Sequence, residues 1–136
     1  MPYKLDFYVR LLDLCDCLHA ENQQVILCGD FNTSHREIDL RHPRQNANAT
    51  GFLPVERAWI DKYLEHSFID AFRRLYPDRV EYTGWTYIAN ARKNNTGWRL
   101  DYFLVSDGLF PRVEDVITHT DIFGSDHCPV TLVLKD

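Results

Sequence analysis

The sequence predicts an α/β protein with one mixed β-sheet. Two observations carry this. Short apolar, strand-like runs both precede and follow helical segments, so the two kinds of element are interleaved. The helical segments themselves are amphipathic, with one face to bury against a sheet. The chain has 136 residues, which fits one domain, and a chain of this size buries roughly two-thirds of its unfolded surface.

Residues 3–20 read as the first helix. Leu5, Tyr8, Leu11, Leu12, Cys15 and Leu18 recur at three- and four-residue steps, leaving Lys4, Asp6, Arg10, Asp13 and Asp16 mostly on the wet side. "QQVILCGDFN" follows as a short apolar strand, apolar over 25–28 and ending at Gly29. Residues 33–53 carry Gly, Pro, Asn and many charges and read as a long ordered loop, a length that is usually functional or mobile. Pro54 can open a second helix over 55–66, with Ala58, Trp59, Tyr63 and Leu64 inward. "FIDAFRRLYPD" reads as a short third helix stopped by Pro77. Strands are expected at 85–89, 99–106, 113–119 and 129–134.

Composition sets the class. Apolar residues make up 45% and charged residues 26%, values ordinary for a globular protein. No apolar run approaches the roughly 20 residues needed to span a bilayer, and MPYKLDFYVR lacks the layout of a signal peptide. A cytoplasmic, intracellular protein with no membrane partner is expected. Cys15, Cys17, Cys28 and Cys128 form no CxxC pair, which argues against zinc. Cys15 and Cys17 point to different sides of a helix, while Cys28 and Cys128 read as small buried hydrophobes. The net charge of −5 argues by itself against nucleic acid. Its distribution matters more. Arg92, Lys93 and Arg99 stand in a stretch without an acid until Asp101, and Arg36, Arg41, His42 and Arg44 form a looser group.

Three polar groupings each sit at the edge of an apolar strand. In "GDFN", Asp30 and Asn32 project the same way, at a strand end where α/β sheets bind ligands. They suit a hard divalent cation or a bound water, and equally an Asx-type turn that closes the strand. In "GWRLDYFLVS", Asp101 shares a face with Phe103 and Val105. A carboxylate among apolar neighbours must be paired, either at an active site or in a salt bridge with an arginine such as Arg99. In "SDHCP", His127 beside Asp126 is common equipment for proton transfer or anion binding.

"GDFN", "NNTGWRLDYFLVS" and "GSDHCPVTLVL", in this order and spacing, are similar to the exonuclease III family of apurinic/apyrimidinic endonucleases, within the endonuclease–exonuclease–phosphatase superfamily. "YKLDFY", "HREIDLRHP" and "GFLPVERAW" fit the same pattern, so the resemblance covers essentially the whole chain. It implies hydrolysis of a DNA phosphodiester, 5′ to an abasic site or from a 3′ end, with Mg²⁺ (Mn²⁺ as a substitute) as cofactor and double-stranded DNA as partner. Asp30 would activate or orient the attacking water, and Asn32 would bind that water or the phosphate. Asp126 would lie at the metal site with Asp30 and Asn32. His127 would donate to a phosphate oxygen, with Asp101 holding its tautomer and orientation. Trp98 would border the pocket for a base-free sugar. Arg92, Lys93, Arg36 and Asn46 would face DNA phosphates.

Two departures matter. Gly84 stands where the family carries an aromatic residue before Trp85, so one wall of the sugar pocket is absent. The family fold is a four-layer sandwich of two similar halves, and residues 1–136 match only the second. The chain therefore looks like a C-terminal half, one sheet with helices on one face. It is expected to bury its other face against the first half or a second copy of itself, and to be inactive alone. Two other functions fit fewer of these features. One is a non-catalytic binding module. The other is a superfamily hydrolase acting on a phosphorylated lipid or nucleotide, against which the polar, basic loop at 33–50 speaks.

Overall fold

The computed structural model describes residues 2–136. Helix α1, Pro2–Ala20, begins on a proline and buries Tyr8, Leu12 and Cys15. Asn22, with φ 61°, turns the chain just beyond it. Strand β1 is Ile26–Asp30. The segment to residue 53 is folded down rather than loose: Leu40 bridges Trp98, and the Ser34 N–H donates to the Gly51 carbonyl at 2.8 Å. Helix α2, Pro54–Glu65, starts on a proline, and the Glu56 carboxylate accepts the Leu53 N–H at 3.1 Å. Its buried side chains are Glu56, Ile60 and Tyr63, whereas Ala58 is exposed, contrary to expectation.

The expected third helix divides in two. Phe68–Asp70 is strand β2, and Ala71–Leu75 is helix α3, capped by the Asp70 carboxylate. Strands β3, Asp101–Ser106, β4, Val113–Thr118, and β5, Val130–Leu134, complete the fold. Residues 85–89 form no strand. Ala89 and Asn90 take φ values of 59° and 53°, incompatible with extended backbone, and a 3-10 turn occupies Ile88–Asn90.

The α/β class holds, but the pairing is not that of one mixed sheet. β1, β3 and β2 form an antiparallel three-stranded sheet in the order β1-β3-β2, and β4 pairs antiparallel with β5. Leu27 pairs with Leu104, and Gly29 with Tyr102, on the face covered by helices. Tyr102 and Leu104 are buried there with Tyr8, Leu12, Ile60 and Tyr63. A second core joins Ala71, Phe72, Val105, Leu109, Val113 and Val116. The other face carries the pairs Ile26–Val105, Cys28–Phe103 and Asp30–Asp101. Ile26 is 39% exposed, Phe103 is half-buried, and Cys28 is exposed rather than buried as its apolar neighbours suggested. Among the described residues no helix is long and apolar enough to cross a membrane.

Candidate active site

Antiparallel pairing of β1 with β3 sets the end of one strand opposite the start of the other, so Asp30 faces Asp101. The segment entering β5 is laced to residues 83–85. The Trp85 N–H donates to the Asp126 carbonyl at 2.8 Å, the Cys128 N–H donates to the Thr83 carbonyl at 2.9 Å, and His127 bridges Gly84. This lacing delivers the imidazole between the two carboxylates. His127 Nδ1 lies 2.7 Å from Asp101 Oδ2, and Nε2 lies 3.7 Å from Asp30 Oδ2. One ligand atom from each of the three residues falls within 4.8 Å of the others.

Asn32 closes the group. Its N–H donates to Asp30 Oδ1 at 2.7 Å, and its φ of 50° turns the chain away from the sheet. The Asx-type turn, one of the two alternatives in the sequence, is thus present at the strand end. Tyr8 of α1 donates its hydroxyl to the Phe31 carbonyl from below and touches Thr33 Oγ1 at 2.9 Å. Beside the cluster is a hollow of about 590 Å³ lined by Lys4, Asn32, Gly51, Trp98, Asp126 and His127. The backbone of Trp98 is fixed by bonds to Gly84. A Cβ on Gly51, which has φ 96°, would stand 3.1 Å from the Trp98 ring.

The electrostatics follow from this crowding. Burial pushes the Asp30 carboxyl up, and the charge of Asp101 adds to the rise; the Asn32 N–H, His127 and Lys4 offset only part of it. Burial pulls the His127 imidazole down, but the Asp101 bond and the charges of Asp101, Asp30 and Asp126 outweigh it, so its pKa is raised.

Other sequence-nominated residues stand apart. The half-buried Arg92 is bonded to carbonyl groups of its own chain, at Ser125, Thr120 and Ile122. Lys93 is exposed. Arg36 borders a separate hollow with His35, Arg57 and Asp61. The Asn46 side chain donates to the His42 carbonyl at 2.8 Å. Arg99 does not pair with Asp101. It bridges two buried carboxylates, with Nε 2.8 Å from Asp39 Oδ1 and Nη2 2.7 Å from Asp70 Oδ2.

Sequence reasoning missed Lys4 and Glu56. The Lys4 ammonium donates to the Asn32 carbonyl at 2.5 Å and pairs with the fully buried Glu56 carboxylate, which also accepts the Gly51 N–H at 2.7 Å. The helix-start pattern at Pro54 and Glu56 was the only available signal for this.

Comparison with known proteins finds a matching family and several similar chains. The family model described as "Endonuclease/Exonuclease/phosphatase family" matches residues 1–127. The chain is 48% identical over 116 residues to an exodeoxyribonuclease of Bacillus subtilis, covering 85% of this chain and 46% of that protein. It is 50% identical over 111 residues to DNA repair nuclease APEX1 of Danio rerio, covering 81% of this chain and 36% of that protein. A 3′ phosphatase from Neisseria, solved bound to a product DNA hairpin, superposes with a TM-score of 0.91 at 25% identity over 98% of this chain and 54% of that one. The chain thus spans less than half the length of the two curated relatives.

Proposed function

Because the chain belongs to the Endonuclease/Exonuclease/phosphatase family, we propose that it carries part of the active site of a metal-dependent DNA-repair nuclease. The reaction is hydrolysis of a phosphodiester 5′ to an abasic site or at a 3′ end. The observation that carries the reading is one imidazole standing between two carboxylates, 2.7 Å from Asp101 and 3.7 Å from Asp30.

The donor set fits a hard divalent cation. Burial and a like-charged neighbour disfavour the charged form of Asp30, a conflict that a bound cation would relieve. Oxygens of Asp30, Asn32 and Asp126 would hold the ion, Mg²⁺ with Mn²⁺ as a substitute. When bound, it stabilises negative charge on the departing oxygen. Asp30 orients or deprotonates the attacking water, and Asn32 positions that water or the phosphate. Asp101 accepts from Nδ1–H and favours the imidazolium form of His127, whose Nε2–H donates to a phosphate oxygen. Trp98 walls the sugar pocket, and Lys93, Arg36 and Asn46 lie toward the DNA backbone. A complementary half of the fold, or a second copy of the chain, covers the open face of β1 and β3 and supplies the rest of the site.

The test is nicking of a duplex with one abasic site in Mg²⁺. The chain is assayed alone and mixed with the part of the Bacillus subtilis relative outside the matched 46%. The mixture should nick and the chain alone should do so poorly. Equal nicking by a His127→Ala mixture, or no nicking by a mixture whose parts co-elute, would overturn the reading.

A further inference from the structure

Arg92 has the environment of an internal clamp. Its guanidinium lies between two aromatic rings, 4.6 Å from the Trp85 centroid and 4.1 Å from that of Phe123. Nη2 donates to the carbonyls of Thr120 at 3.1 Å and Ile122 at 2.6 Å, and Nη1 to that of Ser125 at 3.2 Å. Its Nε is buried without a partner. The three acceptors belong to the segment 120–125, which runs directly into Asp126 and His127. Most residues of that segment are exposed, and Phe123 is 73% exposed, so little apolar packing fixes it. A planar fork can gather several carbonyls while stacking on rings; an ammonium cannot.

We propose that Arg92 is a positioning residue. By gathering three carbonyls of the 120–125 segment against Trp85, it sets where Asp126 and His127 stand. This rests on the reading of Asp126 and His127 as site residues. Trp85 serves both ends of the device. Its ring stacks on the guanidinium, and its backbone N–H holds the Asp126 carbonyl at 2.8 Å.

The test is NMR on the full chain without DNA or metal. The variants are Arg92→Met and Arg92→Lys, with Arg10→Met as an arginine-loss control on exposed α1. In Arg92→Met the imidazole nitrogen shifts of His127 should move, and amides 119–127 should exchange at least about tenfold faster as this segment opens locally. Amides of β3 should keep their protection. Arg92→Lys should resemble Arg92→Met, because one ammonium cannot replace the fork and the stack. Arg10→Met should leave both readouts unchanged. If Arg92→Met does not fold, Phe123→Ala removes one stacking ring, leaves every carbonyl acceptor in place, and reads the same signals. Unmoved His127 shifts with unchanged exchange in a folded variant would overturn the proposal, as would full rescue by lysine. No nuclease activity enters the measurement, so a negative result leaves the proposed reaction standing, and a chain without nuclease activity could still show the clamp.

Discussion

His127 is squeezed between forces of opposite sign, and the balance is testable at one atom. Burial lowers its pKa, while the Asp101 bond and three nearby carboxylates raise it, with a net rise. Asp101→Asn removes the strongest upward contribution and leaves burial in place. The imidazole pKa should then fall, as an NMR titration of the chain will show; an unchanged midpoint would mean that Asp101 is not its partner. In the nicking assay of the mixed halves the same change should lower the rate by roughly 10²–10⁴-fold, the range for misdirected proton transfer. The sign for stability follows from the raised pKa. The imidazolium's contribution is complete below the ordinary histidine value of about 6.5 and fades as pH rises through the folded value. The sequence drew attention to these residues because three polar groupings each sit at the edge of an apolar strand, although a turn or a salt bridge could account for each one alone. Arg92 was not legible. A basic residue in a polar loop reads the same whether it faces a phosphate or a carbonyl 28 to 33 positions along the chain.

The long segment between β1 and α2 read as a loop because it lacks any period, yet a charged post holds it in place. Asp39 is fully buried and takes Arg99 on one side and Arg73 on the other, the latter at 2.6 Å. Burial pushes its carboxyl up, but the two arginines and the Arg36 N–H hold it below the usual carboxylate range. A lowered carboxyl pKa contributes stability above the unfolded value, and that contribution is lost as pH falls through the folded one. Arg99→Met leaves the buried Asp70 without its ion-pair partner and Asp39 with Arg73 alone, and should destabilise the protein by about 3–5 kcal/mol, measured by urea unfolding at neutral pH. The loss should shrink in acid, where the Asp39 carboxylate can take a proton. A neutral effect at pH 7 would show that water reaches the pair. No sequence pattern announces this network, since its members lie 29 and 60 positions apart along the chain. Local period does announce α1, α2 and β3. It fails at 68–70, where three residues that continue a helical pattern are drawn into pairing with β3.

At the scale of the whole chain, one sheet face is dressed by helices and the other is left partly bare at Ile26, Cys28 and Phe103. Tyr3 and Phe7 of α1, 83% and 53% exposed, line one hollow with Ile26 and Cys28. Light scattering of the chain alone should therefore show self-association that disappears when the complementary half is added, because apolar patches this contiguous seek cover. Hydrogen exchange at residues 26–30 should slow in the mixture, and a monodisperse monomer with unchanged exchange would mean that the face needs no partner. The α/β class and most elements were readable from the chain's own periods, but the two antiparallel units were not, since strand pairing depends on partners distant in sequence. The exposed thiol of Cys28 has a practical consequence. It stands on the bare face two residues before Asp30, whereas the exposed Cys17 stands on α1. The protein therefore comes with its own footprinting pair: a colorimetric thiol reagent should modify both sulfurs in the free chain, and only Cys17 once a partner is seated. A bulky adduct placed on Cys28 beforehand should act as a wedge, giving a chain that still folds but can no longer be completed.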